Sequence, residues 1–207
     1  SSFKAQLEDY EQRLRNNADL PGNRLNLAVL LERTDRQLEA MVQYRQALKL
    51  DPYFSPARVN LVTLLNGSLR QDEAEQVLRE GLALPDMPLG DNGNLAYMLA
   101  LLLVEQGREE ESVGLLAQAA EALPENPRIR YNQGLLLLRL QKREAARQAL
   151  EAGLEQAPAD ADLLYALIYL HGSGGESAVA AHYWYRLQSA APNDPRLEPL
   201  RIQLGIR

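Results

Sequence analysis

Pro124, Pro158 and Pro192 are evenly spaced, Pro52 belongs to the same register, and Pro85 lies one position out of it. Proline cannot continue a helix, so these positions cut the chain into short segments of similar length. Ahead of each lies an amphipathic phrase: QLEAMVQYRQALKLDP (37–52), DEAEQVLREGLALPD (72–86), EESVGLLAQAAEALP (110–124), EAARQALEAGLEQAP (144–158) and SAVAAHYWYRLQSAAP (177–192). Before each phrase comes a second apolar-periodic stretch: NRLNLAVLLER (23–33), ARVNLVTLLNG (57–67), NLAYMLALLLVEQG (94–107), RIRYNQGLLLLRL (128–140) and ADLLYALIYLHG (161–172). The unit is therefore helix, turn, helix, proline. One such unit cannot bury its apolar face alone, so the core must form between stacked neighbours.

Composition narrows the function. With 207 residues the chain is one long domain or two short ones. It holds 22 basic and 28 acidic side chains, a net charge of −6, which argues against a general nucleic-acid binder. No apolar run reaches the ~18 residues of a membrane span. There is no cysteine, which removes disulfides, thiolate metal sites and cysteine nucleophiles. No secretion signal is recognisable at the start. Ser1 and Ser2 read as a cloning remnant, and the chain is expected to begin inside a larger polypeptide.

A helix–turn–helix unit of this length, about 34 residues, resembles the tetratricopeptide repeat. Five units fit, 21–54, 55–92, 93–126, 127–160 and 161–194, in one solenoid spanning 1–207. The eighth position is small in most units (Ala28, Val62, Ala100, Gly134), with Ile168 departing. The twentieth is small throughout (Ala40, Ala74, Ser112, Ala146, Ala180). The twenty-seventh is Ala47, Gly81, Ala119 and Gly153, with Leu187 departing, and the twenty-fourth is large (Tyr44, Leu78, Leu116, Leu150, Trp184). Residues 3–14 read as the second helix of an incomplete earlier unit. Residues 195–207 read as a capping helix offering Leu197, Leu200, Ile202, Leu204 and Ile206 for packing. The step from unit two to unit three is four positions longer than the others, and the excess is assigned to a loop, PDMPLGDNG (85–93). The resemblance implies an all-α, right-handed solenoid of antiparallel helix pairs.

It also implies that the first helix of each unit lines a concave wall. Position five on that wall is Tyr97, Tyr131 and Tyr165 in three consecutive units, and Tyr169 lies one turn beyond the last. Tyrosine gives large contact area at low entropic cost, so a ladder of them suits binding. Position six carries Asn26, Asn60 and Asn132, able to donate to and accept from an extended peptide backbone, and position two carries Arg128 for charge selection. The competing reading is that the rings pack between helices and the asparagines are merely solvated. Chaperone-tail binders in the family carry a clamp of Lys, Asn and Arg, and position five here has no Lys, which speaks against that ligand.

Residues 85–126 hold one Arg and eight acids, whereas 127–160 hold six basic and four acidic residues. Glu109, Glu110 and Glu111 fall where a second helix starts, a favourable place for acids; docking of a basic partner is the alternative. His171 and His182 form no metal-ligand pattern, and GSGG (172–175) lacks the Lys-Ser/Thr of a phosphate loop and reads as a turn. No catalytic or cofactor-binding set stands out. The opening wording, F-x-x-x-L-x-x-Y (3–10), NADLP (17–21), LNLAVL (25–30), YRQALKLDPYFSPARVNL (44–61) and LREGLALP (78–85), also resembles the repeat region of bacterial multihaem c-type cytochromes. That resemblance implies a docking domain of a larger periplasmic redox protein and favours the periplasm over the cytoplasm. The expectation is a non-enzymatic scaffold without cofactor that binds a peptide or partner protein along its concave groove. The open N-terminal end is a second surface, available for self-association.

Overall fold

The computed structural model describes residues 2–207; Ser1, half of the expected cloning remnant, lies outside them. The described residues form twelve α-helices and no strand: α1 (Phe3–Asn16), α2 (Pro21–Arg33), α3 (Gln37–Leu50), α4 (Ser55–Gly67), α5 (Gln71–Leu82), α6 (Leu89–Glu105), α7 (Glu109–Ala122), α8 (Pro127–Arg139), α9 (Arg143–Gln156), α10 (Ala161–Ser173), α11 (Ser177–Ala190) and α12 (Leu197–Leu204). The all-α expectation holds. The chain divides into two compact units, one ending at Leu102 and the other Leu103–Arg207.

Local chemistry starts and stops the helices. Pro21, Pro56 and Pro127 sit in the first turns of α2, α4 and α8, where a missing N–H costs nothing. The side chains of Asn126 and Asp160 accept from the backbone N–H groups of Arg128 and Leu163, capping α8 and α10. The five turns inside the helix pairs share one device. The fifteenth residue of each repeat has positive φ: Asp35 at 57°, Leu69 at 60°, Gly107 at 75°, Gln141 at 60° and Gly175 at 77°. The next residue's N–H then reaches back to a carbonyl in the last turn of the helix, as in Arg36 to Leu31 at 2.8 Å and Lys142 to Leu137 at 2.8 Å. This is a Schellman-type stop, which satisfies carbonyls that a helix end would leave bare.

In the first unit α1 packs on α2, α2 on α3, α3 on α4 and α4 on α5. Leu27, Leu31, Leu61 and Leu65 from the first helices meet Tyr44 and Leu78 from the second, all fully buried. Each such leucine contributes about 2 kcal/mol of burial. Ala40 and Ala74, at the small twentieth position, are also fully buried and let the helices of a pair approach.

The second unit repeats the scheme: α7 on α8, α8 on α9 and α10, α10 on α9 and α11, and α11 on α12. Its core gathers Leu150, Leu154, Leu163, Leu167, Trp184, Leu187 and Leu197. Gly134 on α8 is required by close approach, because a Cβ there would overlap the Leu150 side chain. The Trp184 indole N–H donates to the Leu197 carbonyl at 2.9 Å and ties α12 to α11.

Two expectations change. Residues 89–93, expected in a loop, form the first turns of α6, making it 17 residues long against 13 for its counterpart α2. Pro88 opens this extension: its carbonyl accepts from Asn92 N–H at 2.8 Å, and Asp91 favours the first turn. In the C-terminal helix Leu197, Leu200, Leu204 and Ile206 pack on the core, whereas Ile202 is exposed. A helix as short as α12 has only one face to give, and Ile202 lies off it.

Candidate functional site: the paired first helices of the second unit

Helices α8 and α10 lie side by side, so equivalent positions of successive repeats become neighbours. Arg128, Asp162 and Arg196 occupy position two of successive periods and form a charge row. The Asp162 carboxylate meets Arg128 Nη1 at 3.3 Å and Arg196 Nη1 at 2.9 Å. Arg196 also grips Asp194, through Nη2 at 2.8 Å, Nε at 3.0 Å and its own backbone N–H at 2.9 Å. These bonds hold the Asp194 carboxyl below the ordinary aspartate range.

Each arginine covers a tyrosine. The Arg128 guanidinium stands 4.9 Å from the Tyr131 ring centroid, and that of Arg196 stands 4.7 Å from Tyr165. Both rings are half-buried. Cation–π contact of this kind orders a ring and uses one of its faces. The site therefore differs from a bare ladder: Tyr131 and Tyr165 are held in place with arginines above them, and Arg128 already has its counter-charge in Asp162. Asn132 is half-buried beside them and takes part in a contact of its own.

Towards the C-terminal ends of α8 and α10 the same face opens into a cavity of about 520 Å³. Leu135, Leu138 and Tyr169 form its apolar side, and Arg139, Gln141, Arg143 and Ser173 its polar side. Tyr169 is 55% exposed. Arg139 is anchored by Glu109 at 2.8 Å. Arg143 is anchored by Glu176 at 3.2 Å and by the Leu170 carbonyl. Arg143 holds the Glu176 carboxyl below the ordinary range, with His171 adding to the effect. Gly174 explains the glycine-rich turn, since a Cβ there would collide with the Arg143 guanidinium.

The remaining expected site residues lie in the first unit. Asn26 is exposed on α2. Asn60 is half-buried and bonds to the Tyr44 hydroxyl, which itself donates to Glu32 at 2.6 Å. Burial, with the Glu32 carboxylate, pushes the Tyr44 phenol up. Asn60 thus has a structural partner inside the unit. Tyr97 is half-buried on α6 and is also engaged. Sequence reasoning missed Arg143 and Arg196. Arg196 was detectable, because it continues the position-two register one period beyond Asp162.

The acidic start of α7 is answered within the unit: Glu109 pairs with Arg139, and Glu110 with Lys142 at 3.0 Å. His171 is buried and stacks on Tyr183 at 5.6 Å, while His182 is exposed and edges the same ring. Among the described residues no three His, Cys, Asp or Glu side chains gather as a metal set. No helix among them is long and apolar enough to cross a membrane.

Comparison with known proteins follows the same lines. No curated sequence matches the chain. Solved structures do. YrrB, described as a tetratricopeptide-repeat protein with an unusual peptide-binding site, superposes with TM-score 0.69 at 20% identity, covering 95% of this chain and 99% of that one. PilF of Pseudomonas aeruginosa gives 0.65 at 18% identity, covering 97% and 98%. PilW, a type IV pilus biogenesis factor, gives 0.67 at 20%, covering 95% and 88%. These likenesses establish the fold. None of these matches lends support to the multihaem cytochrome resemblance. Tetratricopeptide-repeat family models match residues 23–54, 97–161 and 131–195, the stretches whose helix pairs, small buried positions and αL turns recur above, and the chain belongs to the tetratricopeptide-repeat family.

Proposed function

We propose that the chain is a non-enzymatic protein-interaction scaffold of five repeats, 21–54 to 161–194, and that the α8–α10 face takes an extended peptide of a partner. The family binds proteins or peptides, and YrrB's own description names a peptide-binding site. The observation that carries the reading is the pair of half-buried tyrosines, Tyr131 and Tyr165, fixed under Arg128 and Arg196 next to an open cavity edged by Tyr169. Ordered aromatic rings lose little entropy when a ligand lands on them. Asn132 supplies hydrogen bonds to ligand backbone, and Arg128 sets the position of the Tyr131 ring. In the first unit, taken by itself, Tyr97, Asn26 and Asn60 are the proposed contact residues.

The test is partner capture by the Tyr131→Ala/Tyr165→Ala double variant. Capture should fall by about tenfold or more, as expected when two aromatic anchors are truncated, while the helical melt is retained. Unchanged capture with an intact melt would sink this face.

Self-association through the N-terminal end is a second proposal, supported by Phe3, Leu38 and Val42, which are large, apolar and exposed on α1 and α3. A molecular mass that stays monomeric at rising concentration dismisses it.

A further inference from the structure

We infer that the cavity at the C-terminal ends of α8 and α10 is a subsite for an acidic side chain flanked by a large apolar one in an extended peptide. This deepens the peptide-scaffold reading and rests on it. The lining supplies both halves of the chemistry. Leu135, Leu138 and Tyr169 form the apolar part, and the only charged groups lining the cavity are the guanidiniums of Arg139 and Arg143. At about 520 Å³ it has the size of a small-ligand pocket: it admits one or two side chains and excludes a folded domain.

The two cations are built in. Arg143 passes through the space that Gly174 leaves open and is held by the Leu170 carbonyl and Glu176. Arg139 is held by Glu109. A guanidinium carries five N–H donors, so an anchor at one nitrogen leaves capacity for a second anion. The carboxylates that already meet these arginines, Glu109 and Glu176, each engage one guanidinium nitrogen. A ligand Glu or Asp would take donors that these pairs leave over. Because the arginines are fixed beforehand, ordering them costs the complex little.

The test is fluorescence anisotropy on the full chain with labelled, C-terminally amidated peptides SGELFGS, SGQLFGS and SGEAAGS. A fourth peptide, SGQLF, keeps a free terminal carboxylate. SGELFGS should bind about tenfold more tightly than either amidated control, a difference near 1.4 kcal/mol, and salt should weaken it. Arg139→Gln should erase the preference for Glu over Gln, and Tyr169→Ala should weaken SGELFGS and SGQLFGS alike. The inference is overturned by equal binding of SGELFGS and SGQLFGS, or by a preference that survives Arg139→Gln. Absence of SGELFGS binding at ~1 mM also overturns it. Tighter binding of the free-carboxylate peptide overturns the assignment to a side chain. If the preference fails while partner capture still depends on Tyr131 and Tyr165, the subsite is wrong and the scaffold stands. If capture is indifferent to those tyrosines, the scaffold reading of this face is wrong.

Discussion

Asp162 and Arg196, one full repeat apart in sequence, pair at 2.9 Å, and the same arginine lies 4.7 Å over the Tyr165 ring. One side chain thereby joins the C-terminal cap to the face proposed for binding. The pair is partly solvated, so its direct stabilising effect is modest, about 0.5 kcal/mol. Its larger effect is on order. Arg196→Ala should leave the melting temperature within a few degrees of the parent but broaden the Tyr165 ring signals in NMR. An unchanged Tyr165 spectrum would show that the guanidinium does not restrain the ring.

Asp194 makes the cap acid-sensitive. Its carboxylate is nearly buried and accepts from Arg196 three times, which lowers its folded pKa below the unfolded value of ~3.9. A depressed carboxylate contributes stability above its unfolded pKa and loses it as pH falls through the folded value. The docking of α12 should therefore weaken below about pH 4. Trp184, bonded to Leu197 at the base of α12, reports it by fluorescence. Asp194→Asn should lower cap stability at pH 7 and flatten the acid response. An acid transition of Trp184 identical in parent and variant would place its origin elsewhere.

Two glycines in the second unit predict opposite signs. Gly134 faces the buried Leu150, so Gly134→Ala gains helix propensity but forces the leucine to move. We expect a net loss of about 1–2 kcal/mol. Gly114 on α7 has nothing within 4 Å of a built Cβ, and Gly114→Ala should stabilise by about 0.5–1 kcal/mol. Urea unfolding of the two variants decides the matter. Stabilisation by both would mean that position eight tolerates a methyl and that the helices can separate slightly.

The helix pairs were legible in the sequence because prolines and apolar spacing are local signals that recur once per repeat. The twentieth position could be read for the same reason: Ala40, Ala74, Ser112, Ala146 and Ala180 are all buried. The start of α6 was not legible. Pro, Gly and Asp at 85–93 mark both a loop and a helix N-terminus, and the Pro88–Asn92 bond decides between them only in three dimensions. The site was half legible. Tyr131 and Tyr165 could be placed on one face by spacing, and so could Arg128 at position two, but not the stacking of Arg128 and Arg196 over the rings. Arg128 lies in the same helix as its ring, whereas Arg196 reaches Tyr165 from the start of the C-terminal cap. Nor does the spacing of Asn60 reveal that it bonds to Tyr44, since that contact joins two helices of different repeats.

The fifteenth position of each repeat must enter the left-handed region, and the chain fills it with glycine only at Gly107 and Gly175. Leu69 holds φ at 60° and is 88% exposed, so its side chain returns almost no burial energy for the strain. An L-residue there costs about 1–2 kcal/mol relative to glycine. Glycine in turn gives the unfolded chain extra entropy worth roughly 0.5–1 kcal/mol. Leu69→Gly should therefore stabilise the first unit by about 0.5 kcal/mol, and Leu69→Ala, which keeps the Cβ, should be near neutral. Urea unfolding of the three proteins separates the causes. If alanine and glycine stabilise equally, the gain comes from removing an exposed apolar side chain, and the backbone at position fifteen carries no strain.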